Sequence, residues 1–303
     1  MRTFEKNRYK ANMTCPCGKD NRFGKFATEK GFSGQPIGKC FRCDKNFYED
    51  SIELINPIDR YIPPVDFCRP QTKDLEDSFD YDLKSGFAKF LVNKFGVIEA
   101  TKVAEKYYLG VYDFAHGANH QTIFWQVDRD TQIRCAKIIA YLPNGKRDKT
   151  KNPNWWHSLN NQNCQIRQCF FGDHLIPDYD LPIAVVESAK TALIMDIMLP
   201  QYIWLSSEGA TGLQDHKCIS ISDYDVTLFP DSGWYNDSED QKRKGWKSVA
   251  DKYGFKISSV CEILTEQGKI NDKDDIADYY LKYEYKKPID PEWSWDEYNT
   301  IFK

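Results

Sequence analysis

Apolar and polar positions along this chain change their period at two places. Between residues 87 and 108, Phe87, Phe90, Leu91, Phe95, Val97 and Val103 recur at helical spacing, and Gly96 interrupts the run, which predicts two short helices. Strand-like runs follow at 107–112, 122–127 and 133–141, separated by turns around 116–119 and 128–131. After Pro182 short apolar runs alternate with helical stretches, the signature of a parallel α/β sheet. The predicted strands are 183–186, 202–205, 226–229 and 256–263, and the predicted helices 189–198, 241–253 and 275–281. Residues 56–80 carry four prolines, many charges and little periodicity, and read as a linker. The chain shows no internal repeat and no low-complexity tract.

Composition adds scale and compartment. With 303 residues, 41% of them hydrophobic and 15% aromatic, the chain has ample core material for two domains or one domain with appendages. No stretch approaches the roughly 18 to 20 uninterrupted apolar residues of a membrane span, and residues 1–10 are polar, so a cytoplasmic protein with no membrane partner is expected. A net charge of −4 excludes a uniformly basic nucleic-acid binder, but the charge is unevenly spread. Residues 1–50 hold 11 Lys and Arg against 6 Asp and Glu, and residues 134–167 hold 7 basic residues against Asp148 alone. Residues 168–231 reverse the sign, with 10 acidic residues against Lys190 and Lys217. That order fits polyanion binding next to a cation-binding centre.

Ten cysteines in a large chain without an export signal read as thiols or metal ligands. Cys15 and Cys17 form one close pair and Cys40 and Cys43 a second, whereas Cys68, Cys135, Cys164, Cys169, Cys218 and Cys261 are scattered and fit core packing. Two pairs of thiolates suit a structural, tetrahedral Zn²⁺ site, and the metal replaces the core that about fifty residues cannot build. Gly18 and Gly38 beside the pairs permit the tight turns of two knuckles. The first pair departs from the usual ribbon spacing in being C-x-C. Phe23, Phe26, Phe32, Phe41 and Phe47 alternate with Arg22, Lys25, Lys30, Lys39, Arg42 and Lys45, a composition that can stack bases and contact phosphates of a single strand or simply cover the metal site.

The later section supplies a second candidate centre. IAVVESAKTALI puts Glu187 at the carboxyl end of a predicted strand, where α/β sheets bind ligands. DVTLFPDSG puts Asp231 at the same end of another strand, and KDDIADYYL brings Asp274, Asp275 and Asp278 to the start of a late helix. Carboxylates converging from separate segments suit Mg²⁺ or Mn²⁺ and phosphoryl chemistry, although each alone also reads as a cap or a turn. Residues 184–191 follow a phosphate-loop spacing with both glycines replaced by alanine. The missing glycines and Glu187 inside the loop rank a nucleoside-triphosphatase below the acidic centre.

These segments together resemble the catalytic core of bacterial-type DNA primases across residues 12–282. TIFWQVDRDTQIRCAKIIAY resembles the segment before the Toprim domain. PNWWHSL and QCFFGDHLI resemble the two short motifs after it, and VVESAKTAL, SSEGATGL, LFPDSG and KDDIADYYL resemble successive Toprim motifs. A closer likeness is to uncharacterised Toprim-containing proteins of bacterial mobile elements, which share the FWQ, FFG and VES segments. The resemblance implies an α/β organisation: an N-terminal zinc ribbon (1–50), a linker (51–80) and a primase-like α+β segment (81–181). A Toprim, or Rossmann-like parallel-sheet, domain (182–285) and a C-terminal tail (286–303) follow.

It implies Glu187 as the Toprim glutamate, Asp231 as the first acid of the D-x-D pair, and the 274–278 loop as the later acidic pair. Gly233 stands at the second D-x-D position, and Thr191 stands where primases place another acid, which weakens divalent-metal binding. Asp237, Glu239 and Asp240 lie nearby as alternative acids or as a solvated loop. On this reading Arg134, Lys137, Lys146, Arg147, Lys149 and Lys151 contact phosphates of single-stranded DNA, while Glu187, Asp231, Asp275 and Asp278 serve metal-dependent nucleotidyl transfer from nucleoside triphosphates. A replicative helicase is an implied partner. Two alternatives remain open: a non-catalytic DNA-binding or replication accessory protein, and a Toprim nuclease passing the phosphoryl group to water.

Overall fold

The computed structural model describes residues 67, 69–113, 120–160, 165–239 and 243–285, with the backbone of three short strands nearer the N-terminus. The chain divides into two units, Met1–Val65 and Asp66–Lys303. In the first, β1 (Phe26–Thr28), β2 (Gly38–Cys40) and β3 (Asn46–Phe47) form an antiparallel sheet in the order β1-β2-β3, with Phe26 opposite Cys40 and Gly38 opposite Phe47. Cys15, Cys17 and Cys43 lie outside the described residues, as does the Cys40 side chain, so the predicted zinc site falls there too.

The second unit contains two four-stranded sheets. It opens with α1 (Thr72–Ser78), so the predicted linker gives way to a helix well before residue 80. The predicted helix pair follows: α2 (Gly86–Phe95), capped by Ser85, and α3 (Val97–Lys106), separated by Gly96 at φ +89°. Antiparallel strands β4 (Leu109–Tyr112), β5 (Gln121–Val127), β6 (Ile133–Ile139) and β7 (Asn154–Trp155) pair in chain order, and α4 (Trp156–Leu159) follows directly. β5 is buried along its whole length and alternates between two cores. Phe124 joins the large one, while Ile123, Trp125 and Val127 form a smaller one on the opposite face. Trp125 Nε1 donates to Ser78 Oγ at 3.0 Å and so pins α1 to this sheet.

After a 3₁₀ turn (Asp173–Asp178) come β8 (Ile183–Val186), α5 (Ala189–Met198), β9 (Ile203–Ser206), α6 (Asp215–Ser220), β10 (Val226–Leu228), α7 (Trp246–Tyr253) and β11 (Lys256–Ile257). All four strands are parallel, in the order β11-β10-β8-β9. β8 and β9 are wholly buried, which explains their unbroken apolar runs. The predicted last strand, 256–263, is cut short at Ile257. Ser258 and Ser259 turn the chain into α8 (Val260–Glu266), whose β-branched residues had the composition of a strand. The late helix is α9 (Ile276–Tyr279), continued by a π turn (Tyr280–Glu284).

A single large core runs from Leu83 and Phe87 in the antiparallel half to Ile276 and Ala277 beyond the parallel sheet. At the seam between the sheets, Tyr107 is fully buried, and its hydroxyl lies 3.1 Å from an Asp196 carboxylate oxygen and 3.0 Å from the Trp204 carbonyl. Lys106 pairs with the same aspartate at 2.7 Å. Among the described residues no helix is long and apolar enough to cross a membrane.

Candidate active site

The site begins with the strand order. From β8 the chain crosses to β9 on one side, then returns to place β10 on the other, so the loops leaving β8 and β10 diverge from adjacent strands. Such a switch point leaves a crevice outside the carboxyl ends of the strands. Glu187 is the first residue after β8, and Asp231 follows β10 by three residues, with Phe229 N still bonded to the Val185 carbonyl at 2.8 Å. Ser188 caps α5 by accepting from Thr191 N. A third segment is tied in by Ser232 N, which donates to the Asp274 carbonyl at 3.0 Å, and by the Thr191 hydroxyl, which donates to Asp275 Oδ2 at 2.6 Å. The three sequence-predicted acidic segments therefore meet at one sheet edge.

Their carboxylates are not equivalent. Glu187 is 9% exposed, and its Oε1 is buried with no hydrogen-bond partner. Burial pushes its pKa up from 4.5 to about 7; the Asp231 backbone amide opposes the shift and the Asp275 charge adds to it. Asp231 is pushed up to about 9 by burial, by Asp275 and by Glu187, with Lys190 acting against them. Asp275 caps α9 in a reciprocal box with Asp278: Asp278 N donates to Asp275 Oδ1 at 2.9 Å and Asp275 N to Asp278 Oδ2 at 3.1 Å. Asp274 is turned away, accepting from the backbone and side-chain amides of Asn271 at 2.8 Å.

A lysine that sequence reasoning left aside stands among these acids. Lys190 Nζ lies 3.2 Å from Asp275 Oδ2 and 3.9 Å from Asp278 Oδ1. Burial works against its charge, but the two aspartates override burial and hold it above its ordinary value. Asp275, which burial alone would raise, is kept below its ordinary value by Lys190 and Thr191. Among the described residues no three His, Cys, Asp or Glu side chains stand close enough together to hold a metal ion. Glu187 and Asp231 are the two acids of this edge that could hold a cation, a number that suits Mg²⁺ completed by waters and substrate phosphates.

Gly233 has φ +84°, its N–H donates to Glu262 Oε1 at 2.9 Å, and a Cβ there would come to 3.2 Å from Asp272 Oδ1. The position that lacks the second acid of D-x-D is one whose backbone favours glycine. Asp237 serves its own loop, accepting from Gly245 N and the Ser248 hydroxyl at 2.7 Å; Glu239 makes a turn and Asp240 is outside the described residues.

The basic segment divides in the same way. Arg134 is paired with Asp128, and Lys137 lies 3.2 Å from a Glu208 carboxylate oxygen and 3.2 Å from its carbonyl, so both serve internal partners. Lys146, Arg147 and Lys149 are exposed on a hairpin tip where Gly145, at φ +76°, sits against the Phe90 ring. Lys151 lines a cavity of about 240 Å³ with Lys84, Lys89, His120 and Tyr141. Lys84 and Lys89 carried no sequence signal, because they belong to the helix-pair region and meet Lys151 only through the fold. Tyr141 also feels the charges of Lys190 and Asp275, which links the cavity electrostatically to the acidic edge.

Residues 85–232 match a family model described as "Domain of unknown function (DUF6371)", which spans the antiparallel sheet, Glu187 and Asp231. No curated protein matches the chain. Among solved structures, a DnaG primase catalytic domain bound to ssDNA is similar at 12% identity and TM-score 0.44, over 68% of this chain and 70% of that one. The primase fragment of the bacteriophage T7 primase-helicase is similar at 15% identity and TM-score 0.40, over 73% and 81%. The zinc-binding and RNA polymerase domains of Aquifex aeolicus primase are similar at 14% identity and TM-score 0.40, over 93% of this chain and 77% of that one.

Proposed function

We propose that this chain is a primase-like Toprim protein that binds single-stranded DNA and joins nucleotides from nucleoside triphosphates at the edge formed by Glu187 and Asp231. The observation that carries this reading is Glu187, a buried carboxylate with an unpartnered oxygen at a sheet switch point, beside a half-buried second acid, Asp231. Burial raises the proton affinity of both, and the Glu187 charge raises that of Asp231 further, so ionising both there is costly, and a divalent cation is what would stabilise the ionised pair. Glu187 and Asp231 would hold a Mg²⁺ or Mn²⁺ ion, which would supply positive charge to activate a 3′-hydroxyl and offset charge on the leaving pyrophosphate.

Lys84, Lys89 and Lys151 around the nearby cavity supply charge for phosphates, and Lys146, Arg147 and Lys149 extend that surface along a strand. A zinc ribbon at Cys15, Cys17, Cys40 and Cys43 that engages the template, and a replicative helicase partner, belong to the same reading. Primer synthesis from nucleoside triphosphates on single-stranded DNA tests it. Glu187→Ala is expected to abolish synthesis, and unchanged activity in that variant would sink the assignment.

A second reading draws on Lys190 and Gly233. A non-catalytic DNA-binding or replication accessory protein would keep the fold while its later acids serve a lysine and a helix cap. It predicts salt-dependent strand binding with no turnover and no Mg²⁺ binding that depends on Asp231.

A further inference from the structure

The acids at the sheet edge form two pairs, and the chain satisfies one of them completely. Asp275 Oδ1 accepts from Asp278 N at 2.9 Å, and Asp275 Oδ2 accepts from the Thr191 hydroxyl at 2.6 Å and faces Lys190 Nζ at 3.2 Å. Asp278 Oδ2 accepts from Asp275 N at 3.1 Å, while Oδ1 faces the same ammonium at 3.9 Å. Every oxygen of this pair has a donor or a cation supplied by the chain. The Glu187–Asp231 pair differs: Glu187 Oε1 is buried without a partner, and both carboxyls hold their protons above the ordinary range.

Lys190 is itself delivered rigidly. It is the second residue of α5, whose first turn is fixed by the Ser188 cap, and its side chain is only 19% exposed. An ammonium is a compact, fixed point charge, and its presence between Asp275 and Asp278 repels a dication from those oxygens.

We propose that Lys190 takes the place of a second cation, so that this edge accepts one divalent ion, at Glu187 and Asp231, and carries its other positive charge in the chain. The proposal rests on reading the edge as a cation site and specifies its stoichiometry. It accounts for the absence of a three-carboxylate cluster among the described residues, because the acids that would complete one are committed to the lysine.

Electron paramagnetic resonance of the intact protein titrated with Mn²⁺ tests this. The expected result is one site per chain that disappears in Glu187→Gln, with an isolated-ion spectrum at saturation. Lys190→Met is expected to bind two ions with a dipolar-coupled spectrum, and Lys190→Arg to stay at one. Because Lys190→Met leaves Asp275 buried without its counter-ion, melting is recorded in parallel, and Mn²⁺ is expected to raise the melting temperature of that variant more than that of wild type. A coupled Mn²⁺ pair in the wild type overturns the lysine proposal without touching the cation site, and this measurement needs no variant that must fold. A single site in folded Lys190→Met also overturns it. Absence of any Glu187-dependent Mn²⁺ in wild type and Lys190→Met alike overturns both the proposal and the reading beneath it.

Discussion

Glu187 and Asp231 invert the usual behaviour of carboxylates, and their proton affinities make the inversion measurable. An acid whose folded pKa is raised stabilises the fold fully below its ordinary value and loses that contribution as pH rises through the folded value. For Glu187 the window runs from 4.5 to about 7. At about 1.4 kcal/mol per unit, this group contributes roughly 3 kcal/mol of pH dependence in the absence of a divalent ion. Urea unfolding with a chelator present is therefore expected to show stability falling between pH 5 and pH 8 in wild type and falling less steeply in Glu187→Gln. Equal slopes in the two proteins would contradict the burial argument. Both acids were legible in the sequence because Glu187 directly follows an apolar strand run and Asp231 comes within three residues of another, where the chain must leave the sheet. Lys190 was not, since a lysine in a first helical turn looks solvated until Asp275, 85 residues later, is brought to it.

Elements held to the sequence where burial was one-sided or complete, and departed where composition was ambiguous. The α2–α3 pair was readable from its apolar period with Gly96 at the boundary, and β8–α5 from successive apolar runs with Ser188 at theirs. α1 was hidden because TKDLEDS buries only Ser78 and so has no apolar stripe to detect. The loop after β9 shows what an element boundary can demand of one residue. Gly212 lies so close to the Ser207 carbonyl that a Cβ would come to 2.0 Å from its oxygen, and Glu208 within the same loop has φ +65°. Gly212→Ala is expected to cost about 1–3 kcal/mol, the range of overpacking in a site that cannot yield, and to weaken the Lys137–Glu208 pair the loop presents. A thermal melt indistinguishable from wild type would show that the loop is free to shift.

The whole second unit is organised by a core that does not respect the boundary between its sheets. Phe124 from the antiparallel half and Trp204 from the parallel half belong to the same cluster; Tyr107 stacks on Phe171, which meets Phe124 edge-on, and its hydroxyl donates to the Trp204 carbonyl. The sequence separated an α+β segment from a parallel-sheet segment near residue 181, because period and strand type change there. It could not show that their apolar faces meet each other. The unit is expected to unfold in one step. Single-tryptophan proteins retaining Trp125, in the smaller core, or Trp204, in the larger, are predicted to share one denaturant midpoint, and two resolved midpoints would divide the unit in two.

The hairpin tip that carries Lys146, Arg147 and Lys149 gains its meaning at this scale. With Gly145 seated on Phe90, Leu142 N donating to the Lys146 carbonyl and Gly145 N donating to the Leu142 carbonyl, the tip is bolted to a helix of the large core. On the proposed reading these charges would act as a rail and not as a tether: a strand laid along them would meet a backbone already set by folding. The ordering left to such binding would be that of the side chains and not of the loop.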